Sequence, residues 1–274
     1  MPTAKATKQT ISKDVNTTTP AEVEQTAVAK QKFGRFVKDP KIQESIISTL
    51  GDSARAKTFT ASIVSAIATN SNLMACDNLT ILSAALLGES LNLSPSPQLG
   101  QYYIMPMGNK ATFVLGWKGY FQLALRSGEY RKLNAVPIKE GELVKYNPIY
   151  EEYEFNYISD PAERLAAPTI GYYAFYETIN GFRKEMYMTK AEMEAHANEF
   201  SKAYRSDKRN NSANSFWVRD FDSMALKTMY RMLIGKYGLM SIDLRTAYEN
   251  DMSAGDLDGS REYVDNPADE AIDV

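Results

Sequence analysis

Residues 100–128, GQYYIMPMGNKATFVLGWKGYFQLALRSG, constrain the fold of this chain more than any other stretch. A two-residue loop with glycine first suits a type II′ turn, whose twist matches that of paired strands. Gly108-Asn109 therefore joins QYYIMPM to KATFVLG as an antiparallel hairpin. Gly116 allows a sharp bend into WKGYFQLALRSG, a short helix that Gly128 closes. Lys118, Gln122 and Arg126 recur every four residues and share one face of that helix, while Phe121, Ala124 and Leu125 fall on the core side.

The same stretch is basic and aromatic. Lys110, Lys118, Arg126, Arg131 and Lys132 stand against one acid, Glu129, and Tyr102, Tyr103, Trp117 and Tyr120 are interleaved with them. Cations meet phosphates and rings stack on bases, so a rigid element of this kind suits nucleic acid bound without regard to sequence. A basic, aromatic hairpin also arises from ordinary packing, and the segment alone leaves both readings open.

The net charge of −3 conceals an asymmetry. Residues 249–274 carry nine acids and one base, Arg261, a net −8, which leaves +5 on residues 1–248. A basic body with an acidic appendage is expected, the appendage being either a solubilising or a partner-binding tail. Residues 1–30 are rich in Thr, Lys, Ala and Ser and read as a disordered arm. From Phe33 apolar residues recur at helical spacing, through Ile42, Ile46, Ile63 and Ile67. A further helix follows Asp77 and closes at Gly88. Residues 132–188 read as strands, the last two joined at Asn180-Gly181 through a type I′ turn. Thr189 and Glu192 form a capping box that opens a helix to about residue 204, and the polar 206–215 reads as a mobile loop.

A second basic element, FWVRDFDSMALKTMYRMLIGKYG (216–238), has the period of one long helix. Its apolar side uses Phe221, Ala225, Met229, Met232 and Leu233, and Lys227 and Arg231 share another face. The expected class is α+β: a helical N-terminal part, then antiparallel hairpins and sheet packed on a long basic C-terminal helix. The expected organisation is an arm over 1–30, one domain over 31–245 and a disordered acidic tail over 246–274.

Several chemistries are excluded by residue type. One cysteine, Cys76, and one histidine, His196, cannot furnish a zinc site, and a single cysteine forms no internal disulfide. There is no GxxxxGK[ST] and no GxGxxG, and GNKAT at 108–112 lacks a glycine cradle for phosphates. The seven acids of 140–163 alternate loosely, as on a solvated sheet face, rather than converging as a two-metal nuclease requires. No apolar run is long enough to cross a membrane, and the N-terminus lacks the apolar core of a secretory signal, so a cytoplasmic protein is expected.

Three blocks, AALLGESLNLSPSP, the 100–128 segment and SFWVRDFDSMALKTMYRMLIGKYG, follow one another at a spacing that resembles the RecT family of phage and prophage recombinases. The resemblance covers roughly 75–245. It rests on Gly116-Trp117-Lys118-Gly119, on Leu123 to Gly128, and on Met224 to Thr228 with Arg231. The family's proline after Lys-Tyr is absent, Gly238 and Leu239 following Lys236-Tyr237. The resemblance implies the RecT/Red beta annealing fold and a non-catalytic protein that binds single-stranded DNA and pairs complementary strands without ATP. It implies rings or helical filaments on DNA, a duplex intermediate, a 5′→3′ exonuclease partner and a host ssDNA-binding protein, in the bacterial cytoplasm. No cofactor is expected, with Mg²⁺ modulating DNA binding. The expected nucleic-acid residues are Lys110, Trp117, Lys118, Tyr120, Arg126, Arg131, Lys208, Arg209, Lys227, Arg231 and Lys236. Lys227 and Arg231 are placed on a groove floor, and Lys110, Lys118 and Arg126 on its wall. A passive coat on ssDNA or RNA is the alternative, and a metal-dependent nuclease a more distant one.

Overall fold

The computed structural model of the chain describes residues 33–68, 70–255 and 261–263. The arm expected over 1–30 lies outside the described residues. Asp39 accepts from the Lys41 amide and Pro40 fills the first helical position, where no N–H is needed, so α1 (Pro40–Leu50) starts there. Helix α2 (Ser53–Ala68) buries Ala56, Phe59, Ile63 and Ile67 at helical spacing. Asp77 caps α3 (Asn78–Ser90), which is buried on nearly every side. Gly88 does not close α3 as expected. The helix runs past it, because a Cβ there would lie 2.2 Å from the Tyr102 ring, and only glycine lets that ring pack so closely.

The hairpin forms as its turn chemistry dictates. Strands β1 (Tyr102–Met107) and β2 (Lys110–Leu115) pair antiparallel with Met107 opposite Lys110, and Gly108 takes φ +62°. Helix α4 (Trp117–Arg126) follows directly, burying Tyr120, Leu123 and Ala124. Leu125, assigned to the core by its spacing, is instead 43% exposed.

Strand β3 (Tyr130–Lys139) pairs with β6 (Thr169–Thr178), which pairs with β7 (Arg183–Thr189), all antiparallel. Between β3 and β6 lie the hairpin β4 (Leu143–Asn147)–β5 (Glu152–Phe155) and the short α5 (Pro161–Ala166). The β6–β7 connection is not the expected type I′ turn. Gly181 alone takes positive φ, +87°, and its amide donates to Thr178, a three-residue loop in which Gly181 is the left-handed residue.

The capping box at Thr189 and Glu192 opens α6 (Lys190–Phe200). Ser201 then ends that helix and caps α7 (Lys202–Asn210), so two helices stand where one was expected. The 206–215 segment is no loose loop. Buried Asp207 accepts from Ser212 Oγ and the Ser215 amide, both at 2.6 Å. The long basic helix is likewise divided. Asp220 breaks α8 (Phe216–Arg219) from α9 (Phe221–Tyr237), and it caps the latter by accepting from Ser223.

Helix α9 packs against α4 on one side and the β3–β6–β7 sheet on the other. Helix α10 (Ile242–Asn250) and β8 (Ser253–Gly255) follow, β8 pairing with β2 at Ser253 and with β9 (Arg261–Tyr263). The folded domain therefore does not end at 245. Residues 246–255 belong to it, and of the expected tail 256–260 and 264–274 lie outside the described residues.

Candidate nucleic-acid interface

Of the expected groove floor, Lys227 is interior and Arg231 is partly buried beside it. Lys227 is 7% exposed and its ammonium donates to Asp251 Oδ1 at 3.0 Å. Arg231 Nη1 donates to Asp251 Oδ2 at 3.2 Å, to the Tyr120 hydroxyl at 3.0 Å and to the Tyr248 carbonyl at 3.2 Å. Tyr120, fully buried, donates to Asp251 Oδ2 at 3.0 Å, and the Leu115 amide donates to Oδ1 at 2.9 Å. One carboxylate thus ties the end of β2, α4 and α9 together. Burial pushes the Lys227 ammonium below its ordinary value in spite of Asp251, and Arg231 adds to the depression. Burial, and then the Asp251 charge, hold the Tyr120 phenol well above its usual range. As placed, Lys227, Arg231 and Tyr120 are spent on one another and on Asp251. Lys227 and Tyr120 offer phosphates and bases no free face, and Arg231, with 27% of its side chain exposed, has its guanidinium engaged by Asp251, Tyr120 and the Tyr248 carbonyl.

Arg126 is exposed but anchored. Its guanidinium donates to the Leu91 carbonyl at 2.6 Å and the Asn92 carbonyl at 3.4 Å, satisfying the C-terminal end of α3. Arg131 lies 3.1 Å from Glu177, with its side chain 64% exposed. Lys110 begins β2 at the turn end of the hairpin, half-exposed. Lys208 lies over the Tyr204 ring at 4.8 Å, with Arg209 exposed beside it, and Lys236 is exposed in the last turn of α9.

The two basic blocks do meet, through other residues. Trp117, half-buried, stacks on Tyr230 of α9, with ring centroids 6.1 Å apart and planes 5° from parallel. Exposed Lys118 lies 5.6 Å over Trp117. The position a Cβ would take on Gly100 is 3.4 Å from Lys118 Cδ and 3.1 Å from the Tyr103 hydroxyl, so Lys118 and Tyr103 flank the same glycine. Tyr103 in turn faces Phe216 of α8 at 6.2 Å, and exposed Arg219 lies 4.6 Å over Phe216. Phe216 is 40% exposed. Burial, followed by the charge of Asp220, raises the Tyr103 phenol, so it remains a neutral donor.

Trp117, Lys118, Tyr103, Phe216 and Arg219 thus form one run of rings and cations across the junction of α4, β1 and α8. Of these, Phe216, Arg219 and Tyr103 were not among the expected site residues. FWVR carries the signal, an aromatic and a cation three apart, but the helical period of 216–238 merges it into a longer amphipathic helix.

The acids of 140–163 are largely engaged. Glu142, 2% exposed, accepts from Arg164 at 2.7 and 3.2 Å and from the Lys139 amide at 2.8 Å. Burial works to raise its carboxyl, but these donors bring it below its usual value. Glu151 pairs with Lys184 and Glu152 with Lys145. Among the described residues, no group of three or more His, Cys, Asp or Glu side chains is placed to hold a metal ion. No described helix is long and apolar enough to cross a membrane.

The RecT family model matches residues 57–265, well over half of the chain. The chain belongs to the RecT family. Two relatives agree with this. The uncharacterised protein YqaK of Bacillus subtilis (strain 168) is 36% identical over 262 residues, covering 95% of this chain and 83% of YqaK. Protein RecT of Escherichia coli (strain K12) is 28% identical over 233 residues, 82% of each chain. As a RecT family member the chain has a role in DNA recombination by strand annealing, and the match to residue 265 takes in α10 and the strands beyond it.

Proposed function

We propose that the chain binds single-stranded DNA without ATP, assembles along it as a ring or helical filament, and pairs it with its complement. The observation that carries this reading is the run of half-buried Trp117 and Tyr103 with exposed Lys118, Phe216 and Arg219, where the two basic sequence blocks join. Annealing needs phosphate charge neutralised while base edges stay free, so cations and ring faces serve it better than base-reading hydrogen bonds. One protomer offers few cations on this run, and tight binding then requires many protomers on one strand.

Lys110, Arg131, Lys208, Arg209 and Lys236 extend the phosphate path in this reading. Lys227, Arg231 and Tyr120 act from beneath, by fixing α4 on α9. No nucleotide or metal is required, Mg²⁺ acting only on the phosphate charge. A 5′→3′ exonuclease supplies the strand, a host ssDNA-binding protein is displaced from it, and the bacterial cytoplasm is the site of action.

Titration of a fluorescent oligonucleotide at several salt concentrations tests the surface. Each phosphate contact contributes about 0.7 to the slope of log K against log salt on a single strand. Lys118→Ala with Arg219→Ala is expected to weaken binding and lower the slope by roughly 1.4. An unchanged slope in the folded double variant would remove these residues from the interface.

A further inference from the structure

Turns at hairpin tips are ordinarily polar, because they face water on every side. The tip of the β4–β5 hairpin is not. Ile149 is 82% and Tyr150 75% exposed, and Val144 on the adjoining strand is 60% exposed. The tip is also braced by local contacts. Asn147 Oδ1 accepts from the Ile149 amide at 3.1 Å and the Tyr150 amide at 3.4 Å, Pro148 fixes the backbone between them, and Glu151 binds Lys184. The opposite face of the hairpin is fastened to the β3–β6–β7 sheet through Tyr146 on Tyr187, at 5.1 Å, and Phe155 on Tyr173, at 4.7 Å. Contacts of this kind reduce the entropy an apolar tip loses on docking, the condition under which a small contact is useful.

At the other end of the chain lies a groove of complementary character. A cavity of about 870 Å³ opens between residues 34–43 and α2, with Val37, Ala61 and Val64 in its wall. Exposed Arg35, Lys38 and Lys57 rim it, and none forms a salt bridge with a described residue. The hairpin carries Glu151, Glu152 and Glu154; Lys184 pairs with Glu151 and Lys145 with Glu152, which leaves the hairpin a net negative charge at Glu154. An apolar, acidic tip and an apolar, basic groove match in shape class and in charge.

We infer that the β4–β5 tip of one protomer, led by Ile149 and Tyr150, seats in the α1–α2 groove of a second copy of this chain, with Arg35, Lys38 and Lys57 on the side of Glu154. Tip and groove are different surfaces, so the contact is head-to-tail and generates rings or open filaments rather than closed pairs. This rests on the assembly proposed above and names its interface. Apolar anchors at the centre with charges around them is the usual division between affinity and specificity in such contacts.

The test uses the full-length chain with Ile149→Asp and Tyr150→Asp together, both in an exposed turn, followed by sedimentation velocity with and without oligo-dT. The concentration needed for assembly is expected to rise about tenfold or more. A second measurement mixes an Ile149→Cys chain with a Thr60→Cys chain and a short bismaleimide. Cross-linked dimers are expected in the mixture and not in either pool alone. Assembly of the double variant at wild-type concentrations overturns the inference, as does occupancy of the groove by the chain's own residues 1–32, seen as links from Thr60→Cys to the lysines of that segment with a maleimide–succinimidyl ester reagent. A wild-type chain that binds ssDNA but never self-associates overturns this interface and leaves DNA binding standing. Head-to-tail cross-links in a chain that fails to bind ssDNA would do the reverse.

Discussion

Asp251 is the residue whose loss should be felt most. Its carboxylate accepts from Lys227 at 3.0 Å, Arg231 at 3.2 Å, Tyr120 at 3.0 Å and the Leu115 amide at 2.9 Å, and it is 1% exposed. Asp251→Asn keeps the shape and one acceptor but leaves two cations inside the protein without a counter-charge. Removing one partner of a buried ion pair costs about 3–5 kcal/mol. For a domain of this size each kcal/mol moves the melting midpoint by roughly 2–4 °C, so a fall of about 6–20 °C is expected. Urea unfolding followed by circular dichroism, with thermal scans alongside, measures both. Lys227→Met added to Asp251→Asn removes one of the stranded charges and should recover at least about 1 kcal/mol relative to additivity. If Asp251→Asn unfolds within about 1 kcal/mol of the wild type, or the second substitution makes matters additively worse, the ionic hub is not what holds α4 to α9.

Other substitutions probe separate parts of the account. Gly88→Ala places a methyl 2.2 Å from the Tyr102 ring and should cost about 1–3 kcal/mol in urea unfolding, where a surface Gly→Ala in a helix would stabilise. Truncation after residue 263 removes four acids and should leave ssDNA affinity equal or higher, whereas truncation at 248 takes away Asp251 and should abolish cooperative unfolding. His196 packs on Phe200 at 4.6 Å, and burial holds its imidazole below its ordinary value of 6.5. The unfolded chain therefore binds the proton first, and stability declines as pH falls below about 6.5. His196→Gln should flatten the urea midpoint between pH 5 and 7, and an unaltered profile would show that the ring titrates normally.

Local chemistry was legible in the sequence where neighbours decide it. The Gly108-Asn109 turn, the Thr189–Glu192 capping box and the helix start at Asp77 depend on residues within a few positions of each other, and each stands as its residues indicate. The Lys227/Arg231 pair was not legible. Two cations four apart look the same whether they face water or a carboxylate 20 and 24 residues further along the chain. Asp251 itself was hidden by its surroundings, since it sits among acids whose composition reads as a tail. The 206–215 segment misleads for a related reason. Its polar composition suggests a loop, while buried Asp207 uses that same polarity to order it. The junction of Tyr103 with Phe216 joins residues more than 100 positions apart, which no local pattern records.

The most direct test of the central claim is the rate at which two complementary fluorescent oligonucleotides pair when one is first coated with the protein, with no nucleotide present. The wild type is expected to accelerate pairing. Lys118→Ala with Arg219→Ala should lose that acceleration at moderate salt while keeping the wild-type unfolding midpoint. Slower pairing with the wild type than with bare DNA would mark a passive coat and contradict the account, as would acceleration that appears only with ATP.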